Sequence, residues 1–238
     1  RSRETQRMHV PCFATGNFKP HHLFLEDAEY GRALDALVKA VSDILVTSPD
    51  GSHVFLGKRK VHPQPDWWFI GGRAKPGETP QQAASRNLRR ELGLEIPSQR
   101  LKVIGCYSLT WATRAQAPAD HGTADISTVH SMVLHPEEER QLKIDEEEYA
   151  DLRWHTKQEI LTGEFHPVLK QAIRDLQVHE LQIRMEEAVE REVEEAELVA
   201  LTRRYVAAVK EALQFDTGVL RVDFDEQSRS YVASCLSG

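Results

Sequence analysis

A glycine pair followed by a mixed polar face has the spacing of a cation-binding site. Gly71 and Gly72 would let backbone carbonyls approach a cation closely. Asn87, Arg90 and Glu91 stand three and four residues apart, so a helix would carry them on one face. Carboxylate and carbonyl oxygens are the ligands that Mg²⁺ prefers, which makes Glu91 and the Gly71 carbonyl candidate ligands. Since the other two positions carry an amide and a cation, we expect a single ion at most.

One helix must hold that face, and both of its ends are marked in the sequence. Thr79 is a typical N-cap, Pro80 suits the first helical position, and Gln82 completes a capping box. Gly93 follows the last periodic residue and provides a stop. The spacing therefore predicts a helix from about Pro80 to Leu92.

Strand patterns surround this helix. Two apolar runs separated by a turn at residues 48–51 predict a hairpin, "ALVKAVSDILV" and "HVFLGKR". Further strands are predicted at "PDWWFIGG", "LKVIGCYSLTW", "ISTVHSMVLH" and "EEYADLRWHT", with another helix beginning near "TKQEIL". Strands and helices mixed in this way favour an α/β sandwich.

These fixed positions together resemble the Nudix box. The matching residues are Gly72, Glu78, Arg86, Leu88, Glu91, Gly93 and Leu94. Within that family the chain is similar to the GDP-mannose mannosyl hydrolase branch, whose box likewise keeps only the last glutamate of its cluster. The segments "FLGKR", "WWFIGGR", "GTADISTVH" and "LRWHT" follow that branch in order, over about residues 25–173. The resemblance implies a Nudix α/β/α sandwich with a mixed sheet and a degenerate box at Asn87 and Arg90.

The resemblance also implies a reaction and roles for several residues. Enzymes of that branch displace a sugar from a nucleoside diphosphate by attack at the anomeric carbon, with one Mg²⁺ neutralising the leaving diphosphate. Arg59 would assist the leaving group, and Arg73 and Arg86 would bind the substrate. Glu78 is expected to be a structural partner of Arg86.

The chain departs from the branch where a glutamine ligand and a histidine base are expected, because it has Glu148 and Tyr149 there. Tyrosine is a poor base at neutral pH. Glu148 could serve as the metal ligand or as the catalytic base. His121 and His130 are alternative bases, or simply polar loop and sheet residues.

Two other pairs of residues allow a functional and a structural interpretation. Trp67 and Trp68 could stack on a nucleobase, but a strand beside a hairpin normally packs one such ring inward. His21 and His22 could bind a metal, but without a third ligand they are expected to be solvated loop residues.

Composition limits the function classes. A net charge of −7 over 238 residues disfavours a protein that coats nucleic acid. Cys12, Cys106 and Cys235 lie far apart, which favours a reducing compartment, cytoplasm or an organelle matrix. No run approaches the roughly 18 apolar residues of a membrane helix. The opening "RSRETQRM" does not begin with methionine, which fits either the removal of an arginine- and serine-rich, acid-poor targeting segment or a trimmed chain.

The sequence predicts three parts: an irregular segment at 1–24, a Nudix domain at 25–176 and an extension at 177–238. Residues 168–217 contain no glycine or proline, and a continuous helix there would be about 75 Å long. Its apolar stripe runs from Leu181 to Val199. The stripe fits either a helix that binds a partner protein or one that folds back on its own domain. A terminal hairpin is predicted at "GVLRVDFDEQSRSYVAS".

Three functions are consistent with these features. The first is a Mg²⁺-dependent hydrolase of a nucleoside diphosphate sugar, with reduced activity. The second is a catalytically silent Nudix-fold subunit of a larger, mitochondrial assembly. The third is a sensor that binds a nucleotide without hydrolysing it.

Overall fold

The computed structural model describes residues 10–144, 146–213 and 219–236. The chain divides into two compact units, the first ending at Thr156 and the second beginning at Lys157. Residues 10–26 contain no helix or strand. The opening residues 1–8 and Gly218, which opens the predicted hairpin, lie outside the described residues.

The first unit is built on a mixed sheet, as predicted. The sheet has seven strands. Its strands are β1 (Lys39–Thr47), β2 (His53–Arg59), β3 (Trp67–Trp68), β4 (Ile70–Arg73), β5 (Lys102–Trp111), β6 (Thr123–Val133) and β7 (Tyr149–Thr156). Strands β1 and β6 run parallel, and the other pairs are antiparallel. The predicted β1–β2 hairpin is confirmed, with Val46 opposite Phe55.

The single strand predicted across "PDWWFIGG" is wrong, because the structure divides it into two. In β3, Trp68 lies opposite Gly57 of β2, whereas in β4, Gly71 lies opposite Asp43 of β1. The break at Phe69 lets the chain change pairing partners. This change places the glycine pair beside a buried acid.

Helix α2 (Pro80–Leu92) has both of its predicted ends. Thr79 Oγ1 accepts a hydrogen bond from Gln82 N at 3.2 Å, and Gln82 Oε1 accepts one from Thr79 N at 2.9 Å. Gly93 ends the helix in the left-handed region, at φ 68°. The first unit also contains α1 (Asp27–Ala36), α3 (Pro136–Glu139) and 3₁₀ turns at Ser98–Arg100 and Ala119–His121.

The core of the first unit lies between α2 and the sheet. Leu88 and Leu92 of α2 belong to one cluster with Ile44, Ile70 and Met132 of the sheet. Burying each side chain of this size stabilises the fold by about 1.5–3 kcal/mol. This packing fixes the helix face that carries Asn87 and Glu91.

The second unit contains α4 (Lys157–Thr162), α5 (Pro167–Glu190), α6 (Glu195–Ala212) and the hairpin β8 (Val219–Asp225) and β9 (Ser230–Leu236). The predicted helical extension is confirmed, but it is divided into two helices. The chain turns at 191–194, where Glu192 has a φ of 51°. Helix α6 then runs back along α5, and Gln171 Nε2 donates to the carbonyl of Ala212 at 2.9 Å.

The long helical segment therefore packs on itself. Val189 and Val199 of the predicted stripe are nevertheless 60% and 41% exposed. Partner binding by this stripe stays a prediction. The terminal hairpin is confirmed over its described residues, and its Phe224 and Tyr231 rings have centroids 5.0 Å apart. No described helix is both long enough and apolar enough to cross a membrane.

Candidate active site

A pocket of about 230 Å³ opens over the glycine pair of β4. Its lining comes from α1, α2 and several strands of the first unit, so it collects residues that are distant in sequence. The charged side chains include Lys39, Arg59, Arg73 and Arg90, together with Asp43, Asp125 and Glu148. Five predicted site residues, Arg59, Gly71, Arg73, Arg90 and Glu148, thus meet at one cavity.

Glu91, the acid that was predicted to bind metal, is fully buried. Its Oε2 accepts hydrogen bonds from the backbone N–H of Gly71 at 3.2 Å and from the hydroxyl of Tyr149. Its Oε1 accepts a charged hydrogen bond from Nη2 of Arg90. Burial raises the pKa of the Glu91 carboxyl. Three donors offset the cost of burying this group, and they occupy both of its oxygens.

Tyr149, predicted at the position of a catalytic base, is a buried hydrogen-bond donor. Its side chain packs against Gly57, and its hydroxyl is directed to Glu91. Burial, together with the charge of Glu91, raises the pKa of Tyr149 well above its usual value. The hydroxyl therefore keeps its proton and positions Glu91.

Asn87 braces the glycine loop. Its Nδ2 donates to the carbonyl of Gly72 at 2.9 Å and to that of Ser42 at 3.3 Å. A glutamate at this position could not donate to either carbonyl. The amide therefore has a structural role that a carboxylate could not fill.

Arg86 is engaged on all sides by protein groups. Its Nε donates to Glu78 Oε1 at 2.6 Å and its Nη2 to Glu78 Oε2 at 2.8 Å, which is the partnership that the sequence led us to expect. It also donates to the carbonyl of Arg73 at 2.9 Å and to Asn87 Oδ1 at 2.8 Å. These bonds favour a structural role for Arg86 over the predicted substrate binding.

Arg59 and Arg73 are presented to the pocket in fixed orientations. Arg59 Nη2 lies 3.0 Å from Glu148 Oε1, and both side chains are less than a quarter exposed. The guanidinium of Arg73 lies over the Tyr30 ring, 4.9 Å from its centroid. Both cations are therefore preorganised for an anionic ligand.

Asp43 is a pocket acid that the sequence analysis missed. It is 4% exposed, and Ser127 Oγ donates to its Oδ2 at 2.7 Å. A Cβ atom on Gly71 would lie 2.5 Å from its Oδ1, so only glycine fits beside it. Burial raises the pKa of Asp43 to about 7. Its one signal in the sequence is an acid within the apolar strand "AVSDILV".

The aromatic pair is split between two environments. Trp68 lines the pocket, and its ring centroid lies 5.4 Å from that of Trp111. Trp67 instead contacts Lys58 and Arg153, whose charged groups lie 5.9 and 5.5 Å from its centroid. Trp68 is only 4% exposed, so it is the ring of the pair that packs inward and it has little surface for stacking on a nucleobase.

The histidines considered as substitute bases are not among the pocket residues. His121 lies 3.2 Å from Asp35, and His130 is fully buried in β6. His21 and His22 are exposed residues of the irregular segment, as expected.

The arrangement of the acids at the glycine pair does not favour a divalent metal. Both oxygens of Glu91 accept hydrogen bonds from protein donors, and Glu148 is paired with Arg59. In the described part of the chain, no three His, Cys, Asp or Glu side chains are grouped to hold a metal ion. The predicted set of Gly71, Glu91 and Glu148 does not fit Mg²⁺ as these side chains are arranged.

Comparison with known proteins identifies the domain. The sequence profile of the NUDIX domain matches residues 37–176. The NAD-capped RNA hydrolase NUDT12 of Macaca fascicularis is 25% identical over 116 residues, and that of Homo sapiens is 24% identical over 127 residues. Each match covers 49% of this chain and 22% of the relative. The chain thus spans about a fifth of the length of these curated relatives.

Solved structures were also compared. A MutT NUDIX hydrolase from Burkholderia pseudomallei is 17% identical, with a TM-score of 0.47 over 58% of this chain and 98% of that one. The E. coli dihydroneopterin triphosphate pyrophosphohydrolase is 21% identical, with a TM-score of 0.43 over 58% of this chain and 95% of that one.

Proposed function

Because the chain belongs to the Nudix family, whose members act on nucleoside diphosphate derivatives, we propose that it binds such a derivative in the pocket over Gly71 and Gly72 and hydrolyses it at the sugar carbon. The observation that carries this proposal is the convergence of Arg59, Arg73 and Arg90 on one cavity. Planar guanidinium groups pair well with phosphate oxygens. Arg86 is left out because protein groups already occupy it.

The aromatic end of the pocket is suited to the base. Trp111 lines the pocket and is only half-buried, so it offers a ring surface of the kind on which bases stack. Its Nε1 donates to Asp125 Oδ2 at 2.8 Å, and Lys39 Nζ lies 3.0 Å from Asp125 Oδ1. Polar groups held in place beside a ring surface can fix the orientation of a bound base.

Substitution at carbon is the reaction that these side chains support best. The oxygen of water forms a bond to the anomeric carbon, and the bond from that carbon to the diphosphate oxygen breaks. The electron pair leaves with the diphosphate, whose charge Arg59 and Arg73 neutralise. The proton of water passes to a carboxylate.

We assign that proton to Asp43. Its Oδ1 lies beside Gly71 in the pocket, whereas Glu148, the base predicted from the sequence, is committed to Arg59. A general base contributes about 10²-fold or more to the rate. Asp43→Asn is therefore expected to lower kcat by about that factor. Glu148→Gln should act mainly on KM, because it releases Arg59. A loss of kcat in Glu148→Gln with little change in Asp43→Asn would instead identify Glu148 as the base.

Turnover of GDP-mannose in oxygen-18 water tests the reaction. Label in the released mannose supports attack at carbon, as in the GDP-mannose mannosyl hydrolase branch. Label in the phosphate product means attack at phosphorus and contradicts the proposal. The Asp43→Asn protein serves as the background control.

The hydrogen bonds that both oxygens of Glu91 accept from protein donors favour a second candidate, a catalytically silent subunit of a larger, mitochondrial assembly. The second unit, with its exposed Val189 and Val199, would then be the part that meets a partner. Absence of turnover by folded protein, together with a native particle mass above that of the chain alone, would support this candidate. A monomeric, active protein would exclude it.

A further inference from the structure

We propose that Arg90 is a resident cation that takes the place of a divalent metal beside Glu91, so that a nucleoside diphosphate binds this pocket without metal. The identity of the ligand, a nucleoside diphosphate, rests on the proposed function. The blocking of Glu91 does not, because it is argued from the contacts of Arg90 and Tyr149 alone.

Arg90 occupies the place that a metal ligated by Glu91 would need. Its Nη2 donates to Glu91 Oε1, and a Cβ atom on Gly72 would lie 2.9 Å from the same nitrogen. The guanidinium is thus held between the glycine loop and the acid. Its side chain is 49% exposed and lines the pocket, so the cation meets the ligand space directly.

The other oxygen of Glu91 is closed as well. It accepts from the backbone N–H of Gly71, which is fixed by the pairing of β4 with β1, and from the Tyr149 hydroxyl. A metal approaching this oxygen would meet two hydrogen atoms of partial positive charge. A metal could bind Oε1 only if Arg90 left, and could bind Oε2 only if Gly71 N–H or the Tyr149 hydroxyl turned away.

Charge leads to the same conclusion. On this helix face Asn87 is neutral and Arg90 offsets the charge of Glu91, so no net negative charge attracts a divalent ion. Arg59, Arg73 and Arg90 all line the pocket as cations. The charge that a metal normally supplies to the diphosphate is therefore already present in the protein. Arg90 bonds to Glu91 through Nη2. Its other guanidinium N–H groups can therefore donate to phosphate oxygens.

Calorimetric titration with GDP, in EDTA and in excess MgCl₂, tests this proposal. We expect the wild-type Kd to agree within about twofold between the two conditions. Arg90→Ala should weaken GDP binding in EDTA by about tenfold or more, the value of one charge-assisted hydrogen bond. Arg89→Ala is the matched control, because Arg89 is a largely exposed neighbour on the same helix that pairs with Glu95. It should change the Kd by less than about twofold.

GDP binding that is tenfold tighter in MgCl₂, or equal losses in Arg90→Ala and Arg89→Ala, would overturn the proposal. Circular dichroism confirms that each variant is folded, and Arg90→Lys replaces Arg90→Ala if the latter is not. Lysine keeps the charge and loses the fork, so we expect an intermediate loss.

A second measurement separates this inference from the proposed function. Mn²⁺ is titrated into ligand-free protein and followed by electron paramagnetic resonance. We expect no tight site. A tight Mn²⁺ site that disappears in Glu91→Gln overturns the cation replacement, whatever GDP does. Failure of GDP to bind in either condition, with no Mn²⁺ site, overturns the proposed ligand and leaves the blocking of Glu91 supported.

Discussion

His130 is expected to make the stability of this fold fall in mild acid. The side chain is fully buried in β6, and its Nδ1 lies 3.1 Å from the carbonyl of Asp43, to which it donates. Its Nε2 has no hydrogen-bond partner among the described residues, so a second proton there would be unsolvated. Burial lowers the pKa of His130 from 6.5 to about 4.

The sign and size of the effect follow from that shift. Between pH 6.5 and pH 4 the unfolded chain binds a proton at His130 that the folded chain does not bind. Stability is therefore fully present above pH 6.5 and is lost as the pH falls toward 4. The difference between the two pKa values corresponds to a loss of about 3 kcal/mol in the free energy of unfolding.

Urea unfolding followed by circular dichroism, at about pH 7 and at about pH 4, measures this loss. Other groups titrate in the same range, so the comparison is with His130→Gln, whose amide can still donate to the Asp43 carbonyl. The pH-dependent loss should be smaller by about 3 kcal/mol in the variant. His121→Gln is the control, because His121 is about half exposed, and it should follow the wild type. Parallel curves for the wild type and His130→Gln would refute the argument.

Three further changes test the local structure through the free energy of unfolding. Tyr149→Phe removes a donor from the buried carboxylate of Glu91 and should cost about 1.5–3 kcal/mol, whereas Tyr30→Phe should cost less than about 0.5 kcal/mol; equal effects would contradict the Glu91 network. Thr79→Ala removes the N-cap of α2 and should cost about 1 kcal/mol, and an unchanged midpoint would argue against the capping box. Asn87→Asp sets a carboxylate against two carbonyls and should cost about 2 kcal/mol, so a neutral result would show that the amide does not brace the loop.

The elements that local chemistry controls were predictable from the sequence. Helix α2 has its cap at Thr79 and its stop at Gly93 because both signals act within one turn of the chain. The β1–β2 hairpin follows from a four-residue turn between two apolar runs. The placement of Asn87, Arg90 and Glu91 on one helix was also predictable, since it depends only on their spacing.

The features that the sequence could not predict depend on contacts between distant segments. The three donors of Glu91 come from α2, β4 and β7. No local sequence pattern predicts that the Tyr149 hydroxyl donates to Glu91. Asp43 lies beside the glycine pair because the chain changes pairing partners at Phe69, from β2 in β3 to β1 in β4. The turn after α5 contains no glycine or proline that would predict it. Glu192, a residue type that rarely does so, adopts the left-handed conformation there.

The most direct test of the central claim is to locate the ligand. Two-dimensional amide NMR of the isotopically labelled protein, titrated with GDP in EDTA, reports which residues respond. The account predicts shifts concentrated at Gly71–Arg73 and along the pocket side of β1 and β6, with Arg90→Ala weakening the response. Shifts elsewhere in the described chain, or none at concentrations that saturate typical nucleotide sites, would contradict it.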